Sequence, residues 1–367
     1  MLESKLNPKE IYKILIAHMS RGGCKENFLG DLKLSEVAFA NSLIDNEFPV
    51  LYYEMYLQGK PRTDFHVSIS GKSIHTCNNF PANLGGGGYE KVFEWYKNTP
   101  GRGSLIFSYD VSEGRTDSHT AHIFFELPFT YVKEYFKVMG SEESAEYLKE
   151  FELRVPKGWE HTYYGLFKGR AASPVRIDYF VNEDLQKIYA EDISIFGAHL
   201  KNLGFNAVNE EFLQRCKEMA NLPFQMELQF NVLGVNKLDS TISVSSTLTP
   251  NVFGQDTSFR IRELFSEGGN GYDLMKKIES WGLSDSRWQY IKAVSFNKYL
   301  RLGKLSLHIS NLPIFLKVRW REGNMLDAKL YFIAFAKDES KNELYKNFYP
   351  KTARKPDGMN RHLTFAV

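Results

Sequence analysis

Residues 314–335 read IFLKVRWREGNMLDAKLYFIAF, and this stretch decides the fold. It holds two runs in which apolar and polar residues alternate, 314–320 and 328–335, joined by the polar turn 321–324 with its glycine. A period of two is the pattern of a β-strand that buries one face. A glycine-containing turn between two such runs predicts a hairpin. The stretch therefore predicts two antiparallel strands with one apolar and one polar face.

The same pattern occurs five times along the chain, although no sequence repeat accompanies it. The predicted strand pairs are 50–57 with 64–70, 104–110 with 120–127, 161–167 with 175–181, 224–232 with 241–248, and 314–320 with 328–335. Between the pairs, apolar residues recur three or four positions apart, which is typical of helices that bury one side. These predicted helices span 8–19, 89–97, 130–139, 142–151, 184–203, 209–220, 272–281 and 285–297.

The two faces of the predicted strands differ in chemistry. One face is apolar and suits the amphipathic helices, whereas the other mixes Arg, Lys, Glu, Asp and His with Phe and Tyr. Closing the sheet would remove its edges and enclose that polar face as a ligand chamber. We therefore predict an α+β fold: a ten-stranded antiparallel β-barrel built from five αββα units, with the helices outside. An open sheet and a two-domain α+β arrangement are the alternatives.

Composition excludes several classes of protein. The chain has 367 residues, of which 43% are hydrophobic and 14% aromatic, and this aromatic content is unlike that of disordered chains. A net charge of +2 does not favour a nucleic-acid partner, and no apolar run approaches the roughly 18–20 residues of a membrane span. Three cysteines and no signal-peptide core favour the cytoplasm. We expect one domain over 1–340 and a polar tail over 341–367.

Three segments resemble the ABBA prenyltransferases, a family named for its repeated α-β-β-α units. Residues 328–332, AKLYF, look like the Lys-x-Tyr strand motif of the indole-prenylating branch, and residues 49–54, PVLYYE, look like the first strand of that branch. Residues 174–180, PVRIDYF, are similar to its Arg-x-Lys-x-Tyr strand, with Asp178 in place of the lysine. His122 and Phe124 replace a second Lys-x-Tyr pair, and Asp64 and His66 lie near the expected hairpin arginine.

The resemblance implies a barrel whose interior holds an allylic diphosphate and an aromatic acceptor. It implies that Glu54 accepts the acceptor's proton, that Lys329 and Arg176 bind diphosphate, and that Tyr331 shields the allylic cation. Strand parity adds Lys317 and Arg319 as further diphosphate ligands, because preorganised cations stabilise a leaving anion. Aromatic faces stabilise cations, and the further candidates for the shield are Phe124, Phe180 and Tyr52. The resemblance leaves open whether Mg²⁺ takes part.

The predicted function is that of a prenyltransferase in natural product biosynthesis, acting on an aromatic or electron-rich acceptor such as an indole metabolite or a peptide side chain. One alternative is a metal-dependent enzyme that modifies a peptide or small molecule on the same barrel, with His66, His122, Asp64 and Asp178 as metal ligands. The other is a barrel that binds a ligand without catalysis. The glycine run 85–88 is interpreted as a flexible loop or chamber lid.

Overall fold

The computed structural model describes residues 7–20, 39, 48–69, 89–99, 103–109, 122–127, 129–167, 175–235, 237–248, 257–302 and 305–338. The glycine run 85–88 and the predicted tail over 341–367 lie outside these residues. In strand 122–127 the backbone is described and the side chains are not.

Eleven strands form one sheet. They are β1 (Val50–Tyr56), β2 (Thr63–Ile69), β3 (Leu105–Tyr109), β4 (His122–Leu127), β5 (Trp159–Leu166), β6 (Val175–Val181), β7 (Gln225–Gly234), β8 (Lys237–Thr247), β9 (Phe296–Leu302), β10 (Leu305–Arg321) and β11 (Asn324–Asp338).

The described helices precede or connect the strand pairs. They are α1 (Pro8–Met19), α2 (Tyr89–Asn98), α3 (Val132–Val138), α4 (Glu142–Glu152), α5 (Glu183–Glu191), α6 (Ile193–Leu203), α7 (Glu210–Ala220), α8 (Thr257–Leu264), α9 (Asn270–Ser280) and α10 (Ile291–Val294). Short 3-10 helices, Phe129–Tyr131 and Ser286–Tyr290, precede α3 and α10.

Every strand pairing is antiparallel, and neighbours in the chain are mostly neighbours in the sheet. The order is β11-β1-β2-β3-β4-β5-β6-β7-β8-β10-β9, and β10 pairs with β11 as well. Strand β10 uses residues 305–311 to pair with β9 and residues 315–321 to pair with β8. The sheet is curled, and with its helices it is consistent with an α+β barrel. The five predicted hairpins are confirmed.

The helices cover the apolar face of the sheet, as the sequence predicts. The ring of Phe212 in α7 meets the ring of Trp320 in β10 edge-on at a centroid distance of 5.1 Å. The ring centroid of Phe151 in α4 lies 6.3 Å from that of Phe230 in β7. Each fully buried side chain of this size contributes roughly 1.5–3 kcal/mol. The polar face is therefore turned away from the helices.

Beyond the ten predicted strands, the described sheet contains an eleventh, β9, which pairs with residues 305–311 of β10. Residues 285–297 were expected to form one helix, but α10 ends at Val294 and β9 begins at Phe296. Strand β9 was not predicted because its partner, the first half of β10, was not predicted either: β10 begins at Leu305 rather than near 314. Pro313 has no N–H group to donate, and it stands where β10 changes its partner from β9 to β8. A proline within a strand pattern hid the first half of this strand.

The expected helix over 184–203 consists of two helices. Asp192 separates them with an extended backbone (φ −128°, ψ 96°), and its side chain accepts a hydrogen bond from the Ser194 N–H group at 3.0 Å. This contact caps α6, and such caps stabilise a new helix start. None of the described helices combines the length and the apolar character needed to cross a membrane.

Candidate active site

Strand register brings the polar residues of the sequence analysis onto one face. Directly paired residues of antiparallel strands share a face, and one such row runs through Tyr56, Lys329, Lys317, Ser245 and Glu227. These five residues come from β1, β11, β10, β8 and β7, and each is at most 9% exposed. A buried row of charged and hydroxyl groups is costly unless its members satisfy one another, so their contacts define the site.

Glu54 and Asp64 are held by one lysine. The ammonium group of Lys329 donates to Oε2 of Glu54 and to Oδ2 of Asp64, both at 2.8 Å. His66 Nε2 lies 2.9 Å from the other Glu54 oxygen, and the Tyr56 hydroxyl donates to Asp64 at 3.0 Å. The predicted base is thus a member of a buried network on β1, β2 and β11.

This network fixes the charges of its members. Burial alone would raise the pKa of the Glu54 carboxyl, but Lys329 and then His66 outweigh burial and hold that pKa well below its ordinary value. Burial would likewise lower the pKa of Lys329, and the carboxylates of Glu54 and Asp64 raise it instead. Glu54 is therefore a carboxylate and Lys329 a cation at neutral pH.

Lys317 has different surroundings. Its ammonium group donates to the Tyr331 hydroxyl at 2.6 Å, and it has no ion pair with a carboxylate among the described side chains. Burial and then the nearby charge of Arg176 lower the pKa of Lys317 to about 7, against the weaker opposing effects of Glu54 and Glu227. The positive charge of Arg176 on β6 therefore acts on the Lys317 ammonium on β10.

Arg176 and Arg319 have unequal partners. Arg176 donates through Nε to the amide oxygen of Asn231 at 3.2 Å, and its guanidinium carbon lies 4.6 Å from the centroid of the Phe167 ring. Arg319 forms a two-pronged ion pair with Asp327, including an Nε contact of 2.7 Å. Of the four predicted diphosphate ligands, Arg319 and Lys329 are thus neutralised by carboxylates, while Arg176 and Lys317 have no carboxylate partner in the described part of the chain.

Two further carboxyl groups meet on β6 and β7. Asp178 accepts a hydrogen bond from the Thr162 hydroxyl, and the amide of Gln229 donates to Glu227 at 2.8 Å. Burial and then Asp178 raise the pKa of the Glu227 carboxyl well above its ordinary value. Burial and the neighbouring carboxyl of Asp178 therefore both favour the protonated form of Glu227.

The predicted cation shield is only partly described. Tyr331 and Tyr52 are half-buried and Phe180 is buried. Phe180 lies opposite Glu227 in the register, and Tyr331 lies opposite Glu54. These aromatic side chains therefore belong to the polar face. Phe124 stands on β4, whose side chains lie outside the described residues.

The residues of the metal alternative take separate partners. His66 contacts Glu54, Asp64 contacts Lys329, and Asp178 contacts Thr162. In the backbone register, Ser108 of β3 lies between His66 of β2 and His122 of β4. The side chain of His122 is not described. The described side chains contain no group of three or more His, Cys, Asp or Glu residues arranged to hold a metal ion.

Sequence reasoning missed Arg62 and Asp327. The Arg62 guanidinium lies 3.6 Å from the centroid of the Tyr56 ring, and the Lys329 ammonium lies 4.2 Å from the same centroid. Arg62 precedes Asp64 by two positions, so strand parity could have assigned it to the polar face. Asp327 lies just before the predicted strand, and its pairing with Arg319 needed a strand extended to Asn324.

Comparison with known proteins identifies the fold. No protein-family model matches the chain, and no curated protein matches it. Among solved structures, the prenyltransferase PriB in its apo form aligns over 90% of this chain and 96% of its own, with a TM-score of 0.52. The chain has a fold like that of PriB. Sequence identity to PriB is 11%, so the likeness concerns the fold and carries no residue's role.

Proposed function

We propose that this protein is a prenyltransferase that moves a prenyl group from an allylic diphosphate to an aromatic or other electron-rich acceptor. The acceptor in this proposal is an indole metabolite or a side chain of a short peptide. The observation that carries the proposal is that Arg176 and Lys317, two cationic side chains of the polar face, have amide and hydroxyl partners and no carboxylate partner among the described residues. The PriB-like fold supports it.

The proposal includes a closed barrel that encloses the polar face. Its support is the strand pairing: β10 pairs with both β8 and β11, and β11 pairs with β1. A sheet whose pairings return to the first strand has a separate interior, where low polarity strengthens electrostatic interactions. The burial of Glu54, Lys317 and Lys329 supports such an interior.

Diphosphate would bind first to Lys317 and Arg176. Two like charges near each other raise the free energy of the empty site, and an anion relieves that repulsion. Binding would also restore the proton that Lys317 tends to lose, since an adjacent anion favours the ammonium form. Arg319 and Lys329 would add hydrogen-bond donors at fixed positions and no net positive charge, because carboxylates pair with both.

The proposed chemistry begins when the carbon–oxygen bond of the allylic diphosphate breaks. The electron pair leaves with the diphosphate, and the cations of the site stabilise the developing charge. Tyr331, Tyr52 and Phe180 would shield the allylic cation, with Phe124 as a further candidate. The acceptor attacks the cation and then loses a proton, which the Glu54 carboxylate accepts. His66, in contact with Glu54, would disperse the added charge.

The direct test is incubation with dimethylallyl or geranyl diphosphate and a panel of indoles and short aromatic peptides. We expect release of inorganic diphosphate and a prenylated product visible by mass spectrometry. Arg176→Met and Lys317→Met should each reduce product formation by more than about tenfold, because each removes a charge-assisted contact.

Lys276→Met is the matched control, since Lys276 forms an exposed ion pair with Glu279 on α9. This variant should keep the activity of the unmodified chain. Failure of every acceptor, together with no binding of either diphosphate, would contradict the proposed function.

A further inference from the structure

Lys317 is a buried amine with an unusual set of neighbours. It is 4% exposed, and its described hydrogen-bond partner is the Tyr331 hydroxyl at 2.6 Å. Its cross-strand partner Lys329 is 5% exposed and donates to two carboxylates at 2.8 Å. The two lysines share a face and a degree of burial, and they differ in their partners.

The charged groups around Lys317 come from several strands. Arg176 on β6 and Lys329 on β11 disfavour its ammonium form, whereas Glu54 on β1 and Glu227 on β7 favour it. Ser245 on β8 and Tyr331 on β11 are its uncharged neighbours. The pKa of the Glu227 carboxyl is itself raised well above its ordinary value by burial and Asp178, which weakens this support. A lysine that is desolvated beside another cation becomes a free amine near neutral pH, and free amines are nucleophiles.

We propose that Lys317 is a nucleophilic lysine that forms a reversible imine with an aldehyde carrying an anionic group. This activity goes beyond prenyl transfer and does not depend on it, although it uses a residue of the same polar face. Arg176 supplies the anionic selectivity, because a guanidinium pairs well with phosphate or carboxylate oxygens. Tyr331 places an aromatic ring beside the amine, with the Lys317 nitrogen 4.3 Å from the ring centroid.

The bond changes balance without a further reactant. The Lys317 nitrogen attacks the carbonyl carbon, and the carbonyl oxygen takes a proton, which gives a carbinolamine. The carbinolamine loses its hydroxyl group as water, and the C=N bond forms. The Tyr331 hydroxyl, within hydrogen-bond distance of the nitrogen, is placed to pass the proton between nitrogen and oxygen.

Reductive trapping tests this proposal. The full chain is incubated with pyridoxal 5′-phosphate and, separately, with the smaller aldehyde glyoxylate, then reduced with borohydride, digested and mapped by mass spectrometry. At pH about 8 an ordinary lysine is less than about one per cent neutral, so labelling at Lys317 should exceed labelling at Lys329 by more than about tenfold. Labelling of Lys317 should be half-maximal near pH 7.

Variants and competition locate the reaction. Lys317→Arg keeps the charge and removes the nucleophile, so the dominant label should disappear, while Lys276→Arg, a change in an exposed ion pair on α9, should leave it in place. Inorganic diphosphate should protect Lys317 by occupying Arg176 and restoring the ammonium form. The proposal is overturned if neither aldehyde labels Lys317 in the folded chain although both label it after denaturation, or if Lys317 and Lys329 react equally. A chain that forms the imine and transfers no prenyl group would contradict the proposed function alone.

Discussion

Lys317 and Lys329 face each other on β10 and β11, yet of the two only Lys329 has a carboxylate within ion-pair distance among the described residues. Burial penalises both ammonium groups, and Glu54 with Asp64 compensates Lys329. The positive charge of Arg176 instead disfavours the ammonium form of Lys317. The same residue type at adjacent register positions thus has two environments: Lys329 pairs with two carboxylates, whereas Lys317 has no such pair among the described residues and, in the proposed function, binds the diphosphate.

The two lysines should respond oppositely to removal of the charge. Lys329→Met leaves Glu54 and Asp64 as buried carboxylates without their shared cation, so the free energy of unfolding should fall by about 3–5 kcal/mol. Lys317→Met removes a buried charge that lacks such a partner among the described side chains, and the free energy of unfolding should stay within about 1 kcal/mol or rise. Urea unfolding at neutral pH measures both. Equal losses in the two variants would contradict this assignment.

Stability should depend on pH through Lys317. Its folded-state pKa of about 7 lies below the ordinary value of 10.5, so between these values the folded chain binds fewer protons than the unfolded chain. The free energy of unfolding contributed by Lys317 therefore rises with pH over this window, and its unfavourable effect is complete below the folded pKa. The gain from Lys317→Met should thus be larger at pH about 6 than at pH about 9, by more than about 1 kcal/mol.

Comparing the unfolding free energies of the unmodified chain and of Lys317→Met cancels the effects of the other titrating groups. Unfolding curves of the unmodified chain and of Lys317→Met, recorded at both pH values, give the difference directly. A stability difference that is independent of pH would show that Lys317 keeps its ordinary pKa.

Glu54→Gln tests the proposed base. The amide keeps the size of the side chain and cannot accept the proton of the acceptor, so product formation should fall by at least about tenfold. Diphosphate binding should remain, because Lys317 and Arg176 are untouched. Product yield by mass spectrometry and binding by calorimetry separate these effects. Full activity in Glu54→Gln would remove Glu54 from the mechanism.

Arg287 should position the hairpin that carries Glu54. It is buried, and it donates to the carbonyl oxygens of Tyr56 and Gly59 at the end of β1, while the Asp285 N–H group donates to Leu57. Arg287→Met should lower the free energy of unfolding by about 1–3 kcal/mol, since buried acceptors lose their donor. It should also reduce prenyl transfer.

Arg215→Met is the control for this variant, because Arg215 forms ion pairs along α7 with Glu211 and Glu218. Such helix pairs are worth only about 0.3–0.5 kcal/mol. Denaturant unfolding compares the two variants. A loss in Arg287→Met no larger than that in Arg215→Met would refute the positioning role.

Much of the fold could be predicted because strand parity is a local property. Alternation in 328–335 and 224–232 assigns each side chain to a face, and the register confirms that Lys329, Tyr331, Glu227 and Gln229 share the polar one. The eleventh strand could not be found in this way. Its residues pair with the part of β10 that lies before Pro313. The residues of β9 alone show no pattern that predicts this pairing.

The sequence predicts which residues share the polar face of the candidate site, but it does not predict which of their side chains contact one another. Parity indicates that Arg176, Lys317, Arg319 and Lys329 share a face, but it gives no distances between strands that are remote in the chain. The pairing of β11 with β1 and of β1 with β2 brings Lys329 to Glu54 and Asp64. Among the described residues, the division of the four cations into two paired by carboxylates and two without such partners therefore required the tertiary structure.

The central claim is that Lys317 and Arg176 form an anion site for an allylic diphosphate. Isothermal titration of the unmodified chain with an unreactive thio-analogue of geranyl diphosphate tests it most directly, with Arg176→Met, Lys317→Met and the surface control Lys276→Met alongside. We predict binding by the unmodified chain and the control, with affinity reduced by more than about tenfold in both site variants. Equal affinity in all four proteins, or no binding by any, would contradict the claim.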